Sequence, residues 1–359
     1  MTIFSPARNG LLVCTIAALA ACGGGASQQP SALTPPAGSS AARHAVIPAP
    51  AAHSVGAARI NHRRSWISPD AKRAPRLLFI SDYGSGTVDI FTMPALVLKG
   101  QLTGFSSPEG ECTDSSGNIW IADTGGMQLE LYSRTGTLLR TLPDAGEFPA
   151  SCAMDKNGNL AVANIENSSG GAGNITVFAN ASGSGTPYVN AAIEQYFFVG
   201  YDPNGNLFFD GTNTSRTSSY FAELPAGSSS TQLINLNGGT LHLAGFIQWY
   251  RTGNYIALGD QGCGGTTSSC VYWVTVSGSA GTITGTTNLT NYAGGNVCDL
   301  VQGVIAANGE RYLAGMDYES CGYTATTADR WPYQSGGAPT NYNDTAGLVE
   351  PIGAAVSTK

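Results

Sequence analysis

Residues 108–126 read PEGECTDSSGNIWIADTGG and hold one complete unit of the pattern that decides the fold. A first strand leads into a D-x-x-G-N turn, and a second strand that ends in Asp123 is followed by a polar loop. Gly and Asn tolerate the backbone conformations of tight turns, and short runs rich in β-branched and aromatic residues are typical of strands. This stretch therefore predicts two antiparallel strands joined by a tight turn.

The unit recurs along the whole chain after residue 76. Its second strand is found at 76–82 (RLLFISD), 118–123 (NIWIAD), 159–164 (NLAVAN), 206–211 (NLFFDG), 254–259 (NYIALG) and 311–316 (RYLAGM). Successive copies end 41, 41, 47, 48 and 57 residues apart. Repeats of about 40–50 residues are typical of propeller blades of four short strands. The sequence therefore predicts an all-β, six-bladed β-propeller over residues 76–359.

The two ends of this repeat region complete each other. Five units begin with a strand of their own, whereas only a low-complexity segment precedes the second strand of the first unit. The extreme C-terminus, residues 351–357, reads PIGAAVS and fits the missing strand. We therefore predict that the C-terminal strand pairs into the first blade and closes the ring, which removes exposed sheet edges.

Charge divides the chain into two parts. Only 11% of its 359 residues are charged, which excludes coiled coils and helix-rich cytosolic enzymes. Up to residue 76 there are eight basic residues and one acid, whereas the rest has nine basic and 23 acidic residues, so the net charges are +7 and −14. An acidic body argues against nucleic-acid binding. The basic run 59–76 either lies on anionic lipid, forms a solvated tether or folds back on the acidic body.

The N-terminus predicts export and a lipid anchor. Arg8 precedes an apolar run at 11–21 that is too short to span a bilayer but suits a signal peptide. The following LAAC at 19–22 resembles the bacterial lipobox, which implies cleavage before Cys22 and a diacylglycerol anchor on its thiol. The alternative is an ordinary secretory signal with an incidental cysteine. We expect a signal peptide at 1–21, a disordered tether at 22–75, and a cell-envelope location with the outer membrane favoured, since Gly23 replaces the Asp that favours inner-membrane retention.

The repeat unit also resembles a known family. The blade-two stretch 108–126, followed by LELY at 129–132 and a Thr-Gly turn at 135–136, is similar to an NHL repeat. The wider six-bladed group includes regucalcin/gluconolactonase-like and virginiamycin B lyase-like propellers. The match is good over residues 77–211 and weak beyond them. It implies the fold but not the function, because propellers carry many unrelated activities.

Six cysteines remain for the folded body once the signal and anchor cysteines are set aside. They predict three disulfides, because an even cysteine set outside the cytoplasm forms a disulfide framework. Cys112 and Cys152 occupy matching places on adjacent inner strands, so we expect them to pair. Cys263 would pair with Cys270 across a hairpin, and Cys298 with Cys321 across the last insertion. Zinc is the alternative, but C-x₂-C spacing is absent.

Candidate catalytic residues are few. His242 is the only histidine beyond residue 62, and no nucleophile elbow, P-loop or zinc-protease motif is present. Glu109 and Glu111 occur in one blade only, which makes them better site candidates than the acids that repeat. A virginiamycin B lyase-like reaction would need His242 as its general base, and regucalcin-like hydrolases use Glu, Asn and Asp side chains to bind a divalent metal. The sequence favours a binding protein over an enzyme and supplies no complete catalytic set.

Two sets of loops should open on the same face of the propeller: the loops that follow the second strands and the loops that lead into the first strands. This loop face is the predicted binding site, for a protein, glycan or small molecule, on a monomeric scaffold. Its oxygen ligands would suit Ca²⁺, although an Asp that recurs in every blade argues for a turn role and no metal site is assigned. The predicted loop-face residues are Asp82, Tyr83, Glu109, Glu111, Asp123, Asn164, Asp210, Asp260, Asp317 and Tyr318.

Two function classes follow. The first is a non-catalytic envelope propeller that binds its ligand on the loop face. The second is a propeller hydrolase or lyase that acts on a small molecule at the mouth of the channel.

Overall fold

The predicted architecture is confirmed by a computed structural model that describes residues 64–306, 311–318 and 326–358. Six sheets form a six-bladed β-propeller, and one inner strand of each blade lies at the central channel. In this part of the chain, all strand pairs are antiparallel except for one short outer pair in blade five. The signal peptide, Cys22 and the tether up to residue 63 lie outside the described residues. No helix in the described ranges is long and apolar enough to cross a membrane.

The strands of the first three blades follow the predicted order. Blade one contains β1 (Trp66–Ile67), β2 (Arg76–Asp82), β3 (Thr87–Thr92), β4 (Val97–Thr103) and β26 (Pro351–Thr358). Blade two contains β5 (Pro108–Thr113), β6 (Ile119–Asp123), β7 (Gln128–Tyr132) and β8 (Leu138–Pro143). Blade three contains β9 (Glu147–Met154), β10 (Leu160–Asn167), β11 (Ala172–Phe178) and β12 (Thr186–Tyr188).

The last three blades are less regular. Blade four contains β13 (Gln195–Tyr201), β14 (Leu207–Thr212), β15 (Ser219–Leu224) and β16 (Gln232–Leu233). Blade five contains β17 (Asn235–Asn237), β18 (Ala244–Tyr250), β19 (Tyr255–Asp260), β20 (Cys270–Ser277) and β21 (Ala280–Asn288). Blade six contains β22 (Val304–Ile305), β23 (Tyr312–Asp317), β24 (Thr327–Pro332) and β25 (Asn341–Asn343).

The C-terminal strand closes the ring as predicted. Strand β26 pairs antiparallel with β2, from Arg76 opposite Thr358 to Asp82 opposite Pro351. Side chains of β26 are buried, among them Ile352 and Ala355. The first blade is therefore completed by the last residues of the chain.

The D-x-x-G-N turns explain why the early blades repeat so closely. In blade two, one carboxylate oxygen of Asp114 accepts hydrogen bonds from the amides of Ser116 at 2.8 Å and Asn118 at 2.9 Å. Gly117 has a φ of +77°, which favours glycine. Asp155 and Asp202 make the same turn in blades three and four. These turns join each inner strand to the second strand, and we call their end of the propeller the turn face.

The segment before blade one folds onto it. Strand β1 pairs with β4, and helix α1 (Pro69–Arg73) begins at Ser68, whose hydroxyl accepts a hydrogen bond from the Ala71 amide at 3.1 Å. The guanidinium of Arg134 in blade two donates to the carbonyl of Ala74 at 2.8 Å. Residues 64–75, the described part of the predicted 22–75 tether, therefore pack on the acidic body together with the rest of the described basic run.

Two of the predicted disulfides are confirmed. Cys112 on β5 is bonded to Cys152 on β9 and links the inner strands of blades two and three. Cys263 is bonded to Cys270 across the hairpin before β20. Cys298 is also disulfide-bonded, and Cys321, its predicted partner, lies outside the described residues.

Candidate functional site

The central channel has two ends with different chemistry. The loop face is the end at which β2, β6, β10, β14, β19 and β23 finish and the loops into the inner strands begin. The turn face is the opposite end. The residues predicted as loop-face ligands follow these strand ends, but their side chains have three separate roles.

The acids that end the second strands bind the main chain of their own blade. Asp123 accepts a hydrogen bond from the Ser106 amide at 2.6 Å, and Asp210 accepts one from Phe198 at 2.9 Å. Three further carboxyl groups accept hydrogen bonds from backbone amides in the same way. Asp82 accepts from Val349 and Glu350. Asp260 accepts from His242, Leu243 and Gly262, and Asp317 accepts from Cys298. These carboxyl groups are buried and hold the loop before the inner strand against the end of the second strand.

Asn164 occupies the same position in blade three with a different set of partners. Its side-chain amide donates to Asn174 at 3.0 Å and to Thr176 at 3.1 Å, both on the neighbouring strand β11. It is fully buried. The repeated position at the end of the second strand thus stabilises the blade in all six units.

Glu109 has a different environment from these repeated acids. It is fully buried near the loop face, and neither carboxylate oxygen has a hydrogen-bond partner. Burial raises its pKa well above the ordinary value, and the nearby Glu350 raises it further, whereas the Thr124 side chain and Arg216 lower it. The Thr124 hydroxyl itself donates to the Pro149 carbonyl at 2.6 Å rather than to Glu109. A desolvated carboxyl group with this pKa favours the protonated acid, which can both donate and accept a hydrogen bond.

Tyr83 lies beside this acid. Burial raises the pKa of its phenol, and the charges of Glu109 and Glu350 act in the same direction. Tyr318 follows β23 in blade six, where its backbone amide donates to the Cys298 carbonyl at 3.0 Å. Of the predicted loop-face residues, the structure therefore brings Tyr83 and Glu109 together.

The sequence analysis missed Arg216, which supplies a cation to the same region. It lies in the loop between β14 and β15 with a φ of +54°. Its Nε atom donates to the side chain of Gln195 at 2.8 Å, and its guanidinium carbon lies 5.8 Å from the centre of the Phe197 ring. Burial lowers the pKa of Arg216, whereas Glu166 and Glu109 raise it. No motif marks this arginine in the sequence, since only the fold brings it to Glu109.

Glu111 is turned away from the loop-face mouth and bonds to blade one. Its Oε1 atom accepts a hydrogen bond from the Ser81 hydroxyl at 2.6 Å, and its backbone amide donates to the side chain of Gln302 at 2.9 Å. The Gln302 amide group donates to the Glu111 carbonyl at 2.8 Å, and its oxygen accepts from the Ala354 amide at 2.9 Å. Glu111 and Gln302 together join blades one, two and six at the channel.

Replacement of Glu111 by Gln should change how stability depends on pH. Burial raises the pKa of Glu111 from 4.5 to about 8, and the hydrogen bonds from Ser81 and the Ala355 amide only partly oppose this. The folded chain therefore holds a proton that the unfolded chain releases above pH 4.5. The contribution of Glu111 to stability is complete below that pH and is lost as the pH rises through about 8.

Urea denaturation of both proteins between pH 5 and pH 9 checks this expectation. The stability of Glu111→Gln relative to the wild type should rise with pH across that window. Asp344→Asn, at an exposed acid in the loop before β26, is the matched control and should follow the wild type. A wild-type-minus-Glu111→Gln difference that is constant with pH would contradict the assignment.

His242 stands apart from both glutamates. It precedes β18 in blade five, its side chain is 37% exposed, and its Nδ1 atom lies 3.4 Å from Oδ2 of Asp260. That carboxylate also accepts the backbone amide of His242. The charged groups that act on Glu109 are instead Glu350 and Arg216. The three weak catalytic candidates therefore do not form one site.

The metal site of a regucalcin-like hydrolase does not fit the side chains in this part of the chain. Across residues 64–306, 311–318 and 326–358, no three His, Cys, Asp or Glu side chains are arranged to hold a metal ion. The acids at the strand ends bind backbone amides instead. We therefore derive no chemistry through a metal.

Comparison with known proteins supports the fold and leaves the function open. No family model and no curated protein matches the sequence. A structure from a nidogen/laminin complex is 10% identical, with a TM-score of 0.58 over 79% of this chain and 98% of that one. A protein of unknown function from Bacteroides caccae is 13% identical, with a TM-score of 0.58 over 80% and 100% of the two chains.

Regucalcin from Agrobacterium tumefaciens, titled a calcium-binding protein, is a more distant structural neighbour. It is 13% identical, with a TM-score of 0.44 over 67% of this chain and 75% of that one. In all, 537 chains of solved structures match. So many matches indicate a widespread propeller fold, and a shared fold does not transfer an activity.

Proposed function

We propose that this chain is a bacterial envelope lipoprotein whose propeller binds its ligand at the loop-face mouth without catalysis. The observation that carries the proposal is the group formed by Glu109, Tyr83 and Arg216. It combines a buried acid without hydrogen-bond partners, a phenol and a guanidinium, contributed by blades two, one and four. Such a group can donate and accept hydrogen bonds, as ligand recognition requires.

The chemistry of the mouth supports binding more than turnover. The repeated acids are occupied by backbone amides, and His242, the one histidine of the body, lies against Asp260 in blade five. A nucleophile activated by a neighbouring base is the usual requirement for hydrolysis without a metal. The hydroxyl of Thr124 lies beside Glu109 but donates to the Pro149 carbonyl at 2.6 Å, so Glu109 does not act as its base.

The proposal is tested by a photocrosslinking amino acid placed in living cells at Val349, which is 55% exposed and lies next to Gly84, the neighbour of Tyr83. We expect a discrete crosslinked product in the wild-type background, and its loss when Arg216→Ala is added, because the guanidinium contributes to binding. Asp344→Asn, at an exposed acid in the loop before β26, serves as the control and should leave the product unchanged. Absence of any product, or a product that persists in Arg216→Ala, would contradict binding at this mouth.

A hydrolase or lyase is the second candidate, and the pKa of Glu109 favours it. Burial favours the protonated form of Glu109, and a protonated carboxyl group can serve as a general acid. Purified protein should then turn over lactone or cyclic ester substrates, and Glu109→Gln should lower kcat by at least about 100-fold. For a binding scaffold we expect no turnover by either protein. Turnover that Glu109→Gln abolishes would reverse the order of the two candidates.

Membrane attachment should depend on Cys22 alone. Because several acyl chains on one residue give stable anchoring, the wild-type protein should sediment with the outer membrane. Cys22→Ser removes the thiol that accepts the lipid, and Cys14→Ser, within the signal peptide, is the matched control. Cell fractionation and mass spectrometry of the N-terminal peptide check this. A wild-type protein that does not sediment with the membrane, or an N-terminal peptide that carries no lipid, would argue for an ordinary secretory signal.

A further inference from the structure

The end of the channel at the turn face contains a cavity separate from the Glu109 group. Its volume is about 240 Å³, and all six blades line it. Four aromatic residues are among those that line it: Phe198, Tyr201, Phe246 and Trp249. Ligand sites in proteins combine such apolar walls with a few well-placed polar groups. The cavity therefore has the composition of a binding pocket for a small ring.

Two glutamine side chains supply the polar groups. Gln248 bonds both backbone groups of Ile305, with its oxygen accepting from the amide at 2.7 Å and its nitrogen donating to the carbonyl at 2.9 Å. Gln302 is fixed in the same way between Glu111 and Ala354. Each amide nitrogen carries two hydrogens and uses one in these bonds. One N–H donor on each glutamine thus remains for an oxygen atom of a ligand.

The lining of this cavity carries no basic side chain. Glu111 is its single acidic residue, and burial raises the pKa of that carboxyl group to about 8. At neutral pH the wall therefore favours an uncharged occupant. A phosphate or carboxylate ligand would find no cation to pair with, and its desolvation would be unfavourable.

A groove on the turn face lies next to the cavity, on the other side of Trp249. It has a volume of about 470 Å³ between blades four and five, and Trp249 lines both spaces. The groove is rich in side chains that bond hydroxyl groups, among them Asn204, Glu223 and Thr275, and it contains no basic residue. The carboxylate of Glu223 is held by Gln232, whose amide donates to it at 2.8 Å. An indole beside planar amide and carboxylate groups is suited to binding a sugar. The C–H face of the sugar can pack on the indole, and its hydroxyl groups can form hydrogen bonds with the amide and carboxylate groups.

We propose that the turn face binds a neutral oligosaccharide, with one sugar ring in the channel cavity and the next in the groove beside Trp249. The spare amide hydrogens of Gln248 and Gln302 donate to hydroxyl or ring oxygens of the inner sugar. Trp249 packs against the junction between the two rings. This site lies at the opposite end of the propeller from Glu109, so it is independent of the function proposed for the loop face.

The test is titration of the full chain, solubilised in detergent, with cellotetraose, maltotetraose, laminaritetraose and chitotetraose by isothermal calorimetry. We expect at least one of these neutral sugars to bind, and Trp249→Ala to weaken its Kd at least tenfold. Trp66→Ala is the matched control, because Trp66 is 47% exposed on the outer edge of blade one. Binding should change less than twofold between 50 and 500 mM NaCl, because neither partner contributes a charge pair.

Thermal unfolding of both variants establishes that Trp249→Ala is folded, and Trp249→Phe, which keeps an aromatic ring, should retain most of the affinity. The proposal is overturned if none of the four sugars binds, or if Trp249→Ala binds as tightly as Trp66→Ala. Binding lost in Glu109→Gln but kept in Trp249→Ala would move the sugar to the loop face and also overturn it.

Discussion

A chain that ends at residue 350 loses cooperative unfolding and at least about 5 kcal/mol of stability, which is comparable to the whole stability of many domains. The truncation removes β26, the inner strand of blade one, with its pairing to β2 from Arg76 to Asp82. Buried Ile352 and Ala355 leave the core, and Gln302 loses the Ala354 amide. The freed edge of β2 then becomes available for pairing with other chains.

Denaturant unfolding followed by tryptophan fluorescence and by circular dichroism measures this loss. The two probes should coincide for the full chain and separate for the truncated one. Deletion of everything before Ser68 is the matched control: it removes the edge strand β1, which pairs with β4 through only two residues, and should leave unfolding cooperative. A synthetic peptide of residues 347–359 should restore the truncated protein. A truncated chain that melts like the full one would refute closure by β26.

Removal of Cys112–Cys152 should cost about 4 kcal/mol, and removal of Cys263–Cys270 about 2 kcal/mol, because a disulfide that closes a longer loop restricts the unfolded chain more. The sequence separations are 40 and 7 residues. The first bond also joins inner strands of two blades, whereas the second closes a local hairpin. The difference between the two losses, rather than either value, is the sharper prediction.

The double variants Cys112→Ala/Cys152→Ala and Cys263→Ala/Cys270→Ala provide the comparison. Each is unfolded in urea, and the midpoints are converted to free energies after the slopes have been shown to agree with that of the wild type. The Cys263→Ala/Cys270→Ala variant is the control, because it also loses a disulfide but one that closes only a short loop. Equal losses, or a larger loss for the hairpin, would contradict the loop-length account.

The parts of the fold that the sequence predicted are those built from local or periodic signals. Asp114 makes its turn by accepting hydrogen bonds from backbone amides two and four residues later, with Gly117 in between. Because these contacts are local, the same residue pattern forms the same turn in blades three and four. The pairing of Cys112 with Cys152 follows from equal positions in neighbouring units. The packing of residues 66–73 against blade one cannot be predicted from the sequence, because a two-residue strand has no hydrophobic periodicity.

The candidate site was only partly predictable, because its contacts join distant segments. Glu109 and Tyr83 were identified from their places in the unit, but the sequence pointed equally to Glu111, which bonds to Ser81 in the neighbouring blade. Arg216 carried no signal, since it is one arginine in a polar loop. Gln302 contacts the main chain of Glu111 across 191 residues of sequence.

The sequence by itself determined six blades, their turns, the strand that closes the ring and two of the disulfides. Each of these follows from the repeated unit or from residues close together in the sequence. Tertiary structure alone decided which acids have partners. In the sequence Asp123, Asp210 and Glu109 are all acids next to loop-face strand ends. Only packing shows that the two aspartates accept hydrogen bonds from backbone amides, whereas the carboxylate oxygens of Glu109 are buried and accept none. A side chain's chemistry depends on what surrounds it, and in this ring the surroundings come from other blades.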